Sequence, residues 1–265
     1  MELCLSIQDG TVQNLSSISL GSEGPHLVML HGWGQSKSDL LPLGELLSTV
    51  ARVTVVDLPG FGDSPRPEGV WGTGDYAECL INFLDSRNIE PSILFGHSFG
   101  GRVALRCAGR HPDRVRSLVL MNAAGLPRKR SLQANLRLSW IRLLRSAIRW
   151  TEPWFGPGMR SWFVDRYGSR DYKAAGAMRE ILVKTVNEDL TETAKQVRCP
   201  SLLLWGERDD ETPVEMAVRY SRLLPASRLV AMPRKDHFPY QGVGAHLCAY
   251  YILGWLRSQD VWASG

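Results

Sequence analysis

The stretch Ile93-Leu94-Phe95-Gly96-His97-Ser98-Phe99-Gly100-Gly101 constrains the fold of this chain more than any other. Three apolar residues run straight into a Gly-x-Ser-x-Gly, and a helical pattern follows at once. A strand that must become a helix within so few residues leaves no room for side chains at the bend. Gly96 and Gly100 remove the Cβ atoms that would collide there. Ser98 is then held in a strained conformation, with its Oγ projecting above the end of a sheet. The N–H of Phe99 opens the new helix and is free to donate to developing negative charge. By itself the pentapeptide fits a glycine-rich turn with an ordinary serine as well as a nucleophile. The rest of the chain decides between them.

The first twenty residues alternate loosely, with a turn at Asp9-Gly10, and predict a hairpin. Leu27-Val28-Met29-Leu30 and Val53-Thr54-Val55-Val56 are short apolar runs, the pattern of strands covered on both faces. The first ends in His31-Gly32-Trp33-Gly34 and the second in Asp57-Leu58-Pro59-Gly60-Phe61-Gly62-Asp63-Ser64. Helical patterns occupy roughly 38–49 and 75–87, the latter opened by an Asp75/Glu78 capping box. Strand 92–95, the Ser98 turn, a helix ending near His111-Pro112 and a strand from Val115 to Met121 come next. The alternation breaks between about Gly125 and Leu190 and then resumes. Ser201 to Trp205 and Leu229 to Met232 read as strands, with a helix after Pro213 and a closing one from His246 to Leu256. This order predicts an α/β fold: a mostly parallel central sheet with helices on both faces. Residues 1–125 and 191–265 form its core, and 126–190 are an insertion lying over the strand ends. In such sheets the loops at the carboxyl ends of the strands build the site.

A serine hydroxyl needs a base within hydrogen-bond reach, and the base needs a partner that fixes its tautomer. Of six histidines, His237 follows the last strand directly and is the candidate base. His97 should point into the turn, His111 lies at the opposite side of the sheet, and His31 reads as a structural loop residue. Four carboxylates crowd the loop Gly206-Glu207-Arg208-Asp209-Asp210-Glu211-Thr212-Pro213. Asp209 is the candidate acid and Asp210 the fallback.

The order Ser98, Asp209, His237, with the Gly-x-Ser-x-Gly and an early His-Gly, resembles the α/β-hydrolase superfamily over nearly the whole chain outside the insertion. His31-Gly32-Trp33-Gly34 resembles its oxyanion loop, residues 57–64 its D-x-P-G-x-G-x-S loop, and Gly206 to Pro213 its G-x-x-D-x-x-x-P segment, which singles out Asp209. The resemblance implies that the N–H groups of Trp33 and Phe99 form an oxyanion hole. Trp33, Phe99 and Phe61 would touch substrate, and the insertion would be a helical cap. Asp236 departs from the pattern, since many members have Gly before the histidine. Serine at 98 argues against dehalogenase and epoxide-hydrolase relatives, which use Asp there. The function implied is a serine hydrolase of small carboxylic esters, a carboxylesterase. A carbon–carbon bond hydrolase with the same triad, or a non-catalytic small-molecule binder, are the alternatives.

No flavin, nicotinamide or metal-ligand signature occurs, so no cofactor and no metal are expected. Five cysteines without a CxxC read as buried, reduced thiols. With no leader-like start and no long apolar stretch, a cytoplasmic protein is expected. The net charge of +4 is too weak to argue for nucleic acid. Residues 126–190 carry 13 Lys and Arg against 6 Asp and Glu, a net +7 that leaves the remainder at −3, and four of the nine tryptophans (Trp140, Trp150, Trp154, Trp162). Arg142, Arg145 and Arg149 adjoin an apolar face with Leu136, Trp140, Leu143 and Leu144. A solvated cap helix, an apolar acyl or aryl pocket with an arginine for an anionic substrate, and a membrane-surface contact all fit this pattern.

Overall fold

The computed structural model describes residues 3–8, 11–128, 140, 166 and 169–259, with side chains from Leu15 onward. The Asp9-Gly10 turn and most of the proposed insertion lie outside the described residues. So do Arg142, Arg145, Arg149, Trp150, Trp154 and Trp162. Trp140 is largely exposed, although its spacing set it on the apolar face.

Among the described residues, eight strands form one sheet in the order β1-β2-β4-β3-β5-β6-β7-β8. They are β1 (Leu3–Gln8), β2 (Thr11–Leu20), β3 (His26–Leu30), β4 (Arg52–Val56), β5 (Ser92–His97), β6 (Val115–Met121), β7 (Ser201–Gly206) and β8 (Ser227–Met232). The expected hairpin is there: β1 pairs antiparallel with β2, and β2 antiparallel with β4. From β4 to β8 every pairing is parallel. β8 is the far edge and is only half-buried, whereas β5 and β7 are buried along their whole length.

The strands alternate apolar residues toward two cores. Leu27, Met29, Val53, Val55, Ile93, Phe95, Leu202 and Leu204 face helices α1 (Lys37–Leu47) and α8 (Gly244–Arg257). Val28, Leu30, Leu94, Leu118, Leu120, Leu203 and Trp205 face α2 (Thr73–Ser86), α3 (Phe99–Arg110) and α7 (Val214–Leu223). This is the period-2 division of a strand between two covered faces, and it explains the unbroken apolar runs. Between Leu126 and β7 the described helices are α4 (Arg170–Ala174), α5 (Arg179–Asn187) and α6 (Thr191–Gln196). No described helix is long and apolar enough to cross a membrane.

The start of α2 differs from expectation. Gly72 occupies the cap and Asp75 the third helical position, where its carboxylate accepts from the Gly72 N–H at 2.6 Å. Glu78 points elsewhere, to Arg110 and His111. An aspartate serves at either place, because both put its charge beside the unpaired N–H groups of the first turn.

After β3 the chain moves to β4 on one side, then crosses to β5 on the other. The crevice outside the carboxyl ends of β3 and β5 lies at this reversal. Gly32, Trp33 and Ser98 follow those two ends.

Candidate active site

Ser98 sits between β5 and α3 at φ 49° and ψ −106°, a left-handed region that a serine adopts at a cost of about 1–3 kcal/mol. The turn is tight for the reason expected. A Cβ on Gly96 would lie 2.5 Å from the Gly100 carbonyl oxygen, and one on Gly100 would lie 2.3 Å from that of Leu30. Surrounding bonds hold the strain. Ser98 N–H donates to Met121 O at 3.1 Å, Gly100 N–H to His31 O at 3.0 Å, and Ala124 N–H to Ser98 O at 3.1 Å. The side chain of Ser98 remains partly accessible.

Three loops bring the predicted residues together. Ser98 Oγ lies 3.0 Å from His237 Nε2, and His237 Nδ1 lies 2.8 Å from Asp209 Oδ2. The carboxylate accepts at Nδ1, so that nitrogen carries the proton and Nε2 presents its lone pair to the serine hydroxyl. Asp209 is buried, and burial alone would raise its carboxyl. The hydrogen bond and charge of His237, together with hydrogen bonds from Thr212, outweigh this and hold it below the usual carboxylate range. Glu211 N–H and Thr212 N–H each donate to Asp209 Oδ1 at 2.8 Å, and Thr212 Oγ1 donates to Oδ2 at 2.6 Å. Asp210, the fallback acid, is exposed, and its carbonyl accepts from Arg128 at 2.5 Å. The short loop turns Asp209 inward and leaves its neighbour outside.

The N–H groups of Trp33 and Phe99 find no backbone acceptor among the described residues. Phe99 is the first residue of α3, where no carbonyl of the helix is available to it. The rings of Trp33, Phe61 and Phe99 pack on one another, with centroids 4.9 Å apart for Trp33–Phe61, 5.3 Å for Trp33–Phe99 and 6.1 Å for Phe61–Phe99. They form an aromatic wall beside the serine turn.

His31 is fully buried and committed at both nitrogens. Nδ1–H donates to Gly32 O at 2.8 Å, and Nε2 accepts from Leu58 N–H at 3.0 Å. Burial holds its imidazole below the usual histidine range. It therefore links the β3 and β4 loops, as a structural residue does. Asp236 turns its carboxylate to the Phe238 N–H at 3.0 Å.

His97 does not point into the turn. As the last residue of β5 it follows Phe95 onto the α1/α8 face. There Nε2 lies 2.8 Å from the His237 carbonyl oxygen and the two rings are 4.9 Å apart. Burial, then the neighbouring His237, pushes its imidazole down to about 3, so it is neutral. Gln35 Oε1 lies 3.0 Å from His97 Nδ1 and accepts from Gly32 N–H, while Gln35 Nε2 donates to Tyr240 OH at 2.5 Å. This buried set ties the Gly32-Trp33 loop to the backbone of His237. Asn122 is a second such residue. It is fully buried with φ 47°, it donates through Nδ2 to Asp209 and, at 3.1 Å, to the Asp236 carbonyl, and it accepts from Gly206 N–H. Sequence reading missed Asn122, Gln35 and the orientation of His97. For Asn122 one signal existed: a polar residue directly after the apolar run Leu118–Met121, at the end where the site forms.

Known proteins resemble the chain at three levels. A family model described as the alpha/beta hydrolase fold matches residues 25–164. The chain is 29% identical to a pimeloyl-[acyl-carrier protein] methyl ester esterase of Chromobacterium violaceum, over 86% of its own length and 92% of the relative's. It is 26% identical to a 1-acylglycerol-3-phosphate O-acyltransferase of Arabidopsis thaliana, over 89% and 68%. Among solved structures, a bacterial membrane phospholipase A superposes with a TM-score of 0.73 at 26% identity, covering 96% of this chain and 85% of the other. The family match begins just before β3, takes in the Ser98 turn and spans more than half of the sequence, so the chain belongs to the alpha/beta hydrolase family.

Proposed function

We propose that the chain is a serine hydrolase that cleaves a small carboxylic ester through Ser98, His237 and Asp209. The observation that carries this reading is the unbroken line from Ser98 Oγ to His237 Nε2 at 3.0 Å and from His237 Nδ1 to Asp209 Oδ2 at 2.8 Å. The relatives named as esterases support the choice of an ester.

Ser98 Oγ attacks the carbonyl carbon as His237 Nε2 takes its proton. Asp209, kept ionised, steadies the imidazolium. The oxygen that becomes negative is held by the N–H groups of Trp33 and Phe99, each donor of this kind being worth about 3–4 kcal/mol of barrier. His237 returns the proton to the leaving alcohol. Water then repeats the sequence on the acyl-Ser98 ester, regenerating the serine and releasing the acid. Trp33, Phe61 and Phe99 form the wall against which an apolar acyl or aryl group would lie. Residues 126–190, inserted between β6 and β7, would cap the site.

A fluorophosphonate probe tests this directly. Wild type is expected to label at Ser98, and Ser98→Ala to lose both labelling and hydrolysis across an ester panel of graded chain length. Turnover in Ser98→Ala near that of wild type refutes the assignment. The Arabidopsis thaliana relative is named as an acyltransferase. The same acyl-enzyme could pass its acyl group to an alcohol instead of water. Partition between free acid and new ester with glycerol present separates the two outcomes.

A further inference from the structure

Glu211 stands closer to the reacting atoms than its place outside the triad suggests. Its Oε2 lies 3.3 Å from His237 Nε2, the nitrogen that faces Ser98 Oγ. The carboxylate and the nucleophile are therefore within two hydrogen-bond lengths of each other. The backbone under it is fixed, because Glu211 N–H and Thr212 N–H are both tied to Asp209 Oδ1. The two carboxylates near the ring differ in setting. The Asp209 side chain is fully buried and saturated with donors. That of Glu211 is 60% exposed and, among the described residues, meets no lysine or arginine.

Glu211 is not a second holder of the imidazole. Nδ1 is already taken by Asp209, and Nε2 must be free to move the proton between Ser98 and the leaving alcohol. Its charge instead stands beside Nε2, the nitrogen that hands its proton to the leaving alcohol. The other charges nearby are differently engaged. The Asp236 carboxylate turns to the Phe238 N–H, Arg128 donates to the Asp210 carbonyl, and His97 lies neutral behind the ring. Among the described residues, the carboxylate of Glu211 is thus the charge outside the triad that stands beside Nε2, where the group bonded through the scissile oxygen must lie.

Building on the hydrolase reading above, we propose that Glu211 sets charge specificity at this site, favouring esters whose alcohol carries a positive charge or none beside the scissile bond and disfavouring those whose alcohol carries a negative one. A unit charge at that separation, between water-like and protein-like screening, changes relative rates by about 3- to 30-fold.

The test uses the full chain and the acyl group that the ester panel finds best, joined to three alcohols of equal size: a trimethylammonioethyl, a neutral 3,3-dimethylbutyl and a sulfonatoethyl group. The readout is the ratio of kcat/KM for the cationic to the anionic ester. Glu211→Gln, which keeps the side-chain shape, is expected to lower this ratio by about 10- to 1000-fold, because attraction for the cation and repulsion of the anion are lost together. Glu211→Lys should lower it further and invert it. At about 0.5 M NaCl the difference between wild type and Glu211→Gln should shrink, because an exposed charge is screened. A variant that merely disturbs the loop slows all three esters alike, and an unchanged ratio overturns the proposal. If wild type neither labels with the neutral fluorophosphonate nor cleaves any ester, the hydrolase reading falls and takes this one with it. Labelling and turnover with an unchanged ratio remove the Glu211 proposal alone.

Discussion

Asp209 and Asp210 are adjacent in the chain and chemically identical, yet their environments separate them. Asp209 receives both N–H groups of the following turn and the His237 ring, while Asp210 faces water. Asp209→Asn would present the wrong partner to Nδ1–H and disturb the tautomer. Its kcat is expected to fall about 10⁴-fold with the fold retained, as in triads generally. Asp210→Asn should remain within about 3-fold of wild type, since an exposed surface change is usually small. Steady-state kinetics of the two variants on one ester check this, and equal losses would remove Asp209 from its role. The choice between them was open from composition alone. The resemblance strengthened the choice of Asp209, and the burial that distinguishes them arises when the β7 loop folds over Asn122.

The elements around the site are tied by charges as well as by apolar packing. Lys37, at the start of α1, is buried with its ammonium 2.5 Å from Asp57 and 2.7 Å from Asp63, while its N–H donates to Asp57 at 2.6 Å. Burial would push the Lys37 ammonium down, but the hydrogen bonds it donates to Asp57 and Asp63 prevail and hold it above the usual lysine range. The link fastens α1 to the loop after β4 and so frames the Trp33 segment between them. Lys37→Met would leave Asp57 buried without its cation. The expected loss is about 3–5 kcal/mol in urea unfolding, partly regained in Lys37→Met/Asp57→Asn because no charge is then stranded. A loss under about 1 kcal/mol would show the pair to be incidental. Such ties explain which elements the sequence made legible. Leu27 to Leu30 and Ser201 to Trp205 were readable because a strand buried on both faces needs a continuous apolar run. The Lys37–Asp57 pair and the Gln35–His97 contact were not, because they join residues 20 and 62 apart that no local pattern connects.

Across the whole molecule, buried imidazoles couple stability to acidity. His26, His31 and His97 are all held below the ordinary value of 6.5, chiefly by burial. A group whose value falls on folding binds its proton more readily in the unfolded chain. Its contribution is therefore present above 6.5 and is lost as pH falls toward the folded value, about 3 for His97. His97 should add about 1.4 kcal/mol per pH unit to the slope of unfolding free energy while pH lies between 6.5 and its folded value of about 3, and His26 and His31 add to the slope in the same direction. Urea titrations between pH 6 and 4 measure the slope, and His97→Gln should flatten it by about one histidine's share. An equal slope in that variant would mean that His97 charges freely in the folded state. At this scale a mostly parallel sheet with helices on both faces followed from the alternation of elements, whereas the order of its strands, with the reversal between β3 and β5, did not, because alternation alone does not say on which side each new strand adds. The arrangement over residues 126–190 did not, since Arg- and Trp-rich helical patterns fix no partner face.

One strand gives the molecule an uneven thermal resilience. The loop bearing His237 hangs from β8, which among the described residues has a neighbour on one side only and is the least covered strand of the parallel part. Segments with one flank open detach at lower free energy than interior ones. On slow warming, turnover should therefore fade while far-ultraviolet dichroism still reports an intact sheet, and prompt cooling should restore it. Whatever shelters that margin, a bound ester included, would lengthen the working life of the protein without deepening its core.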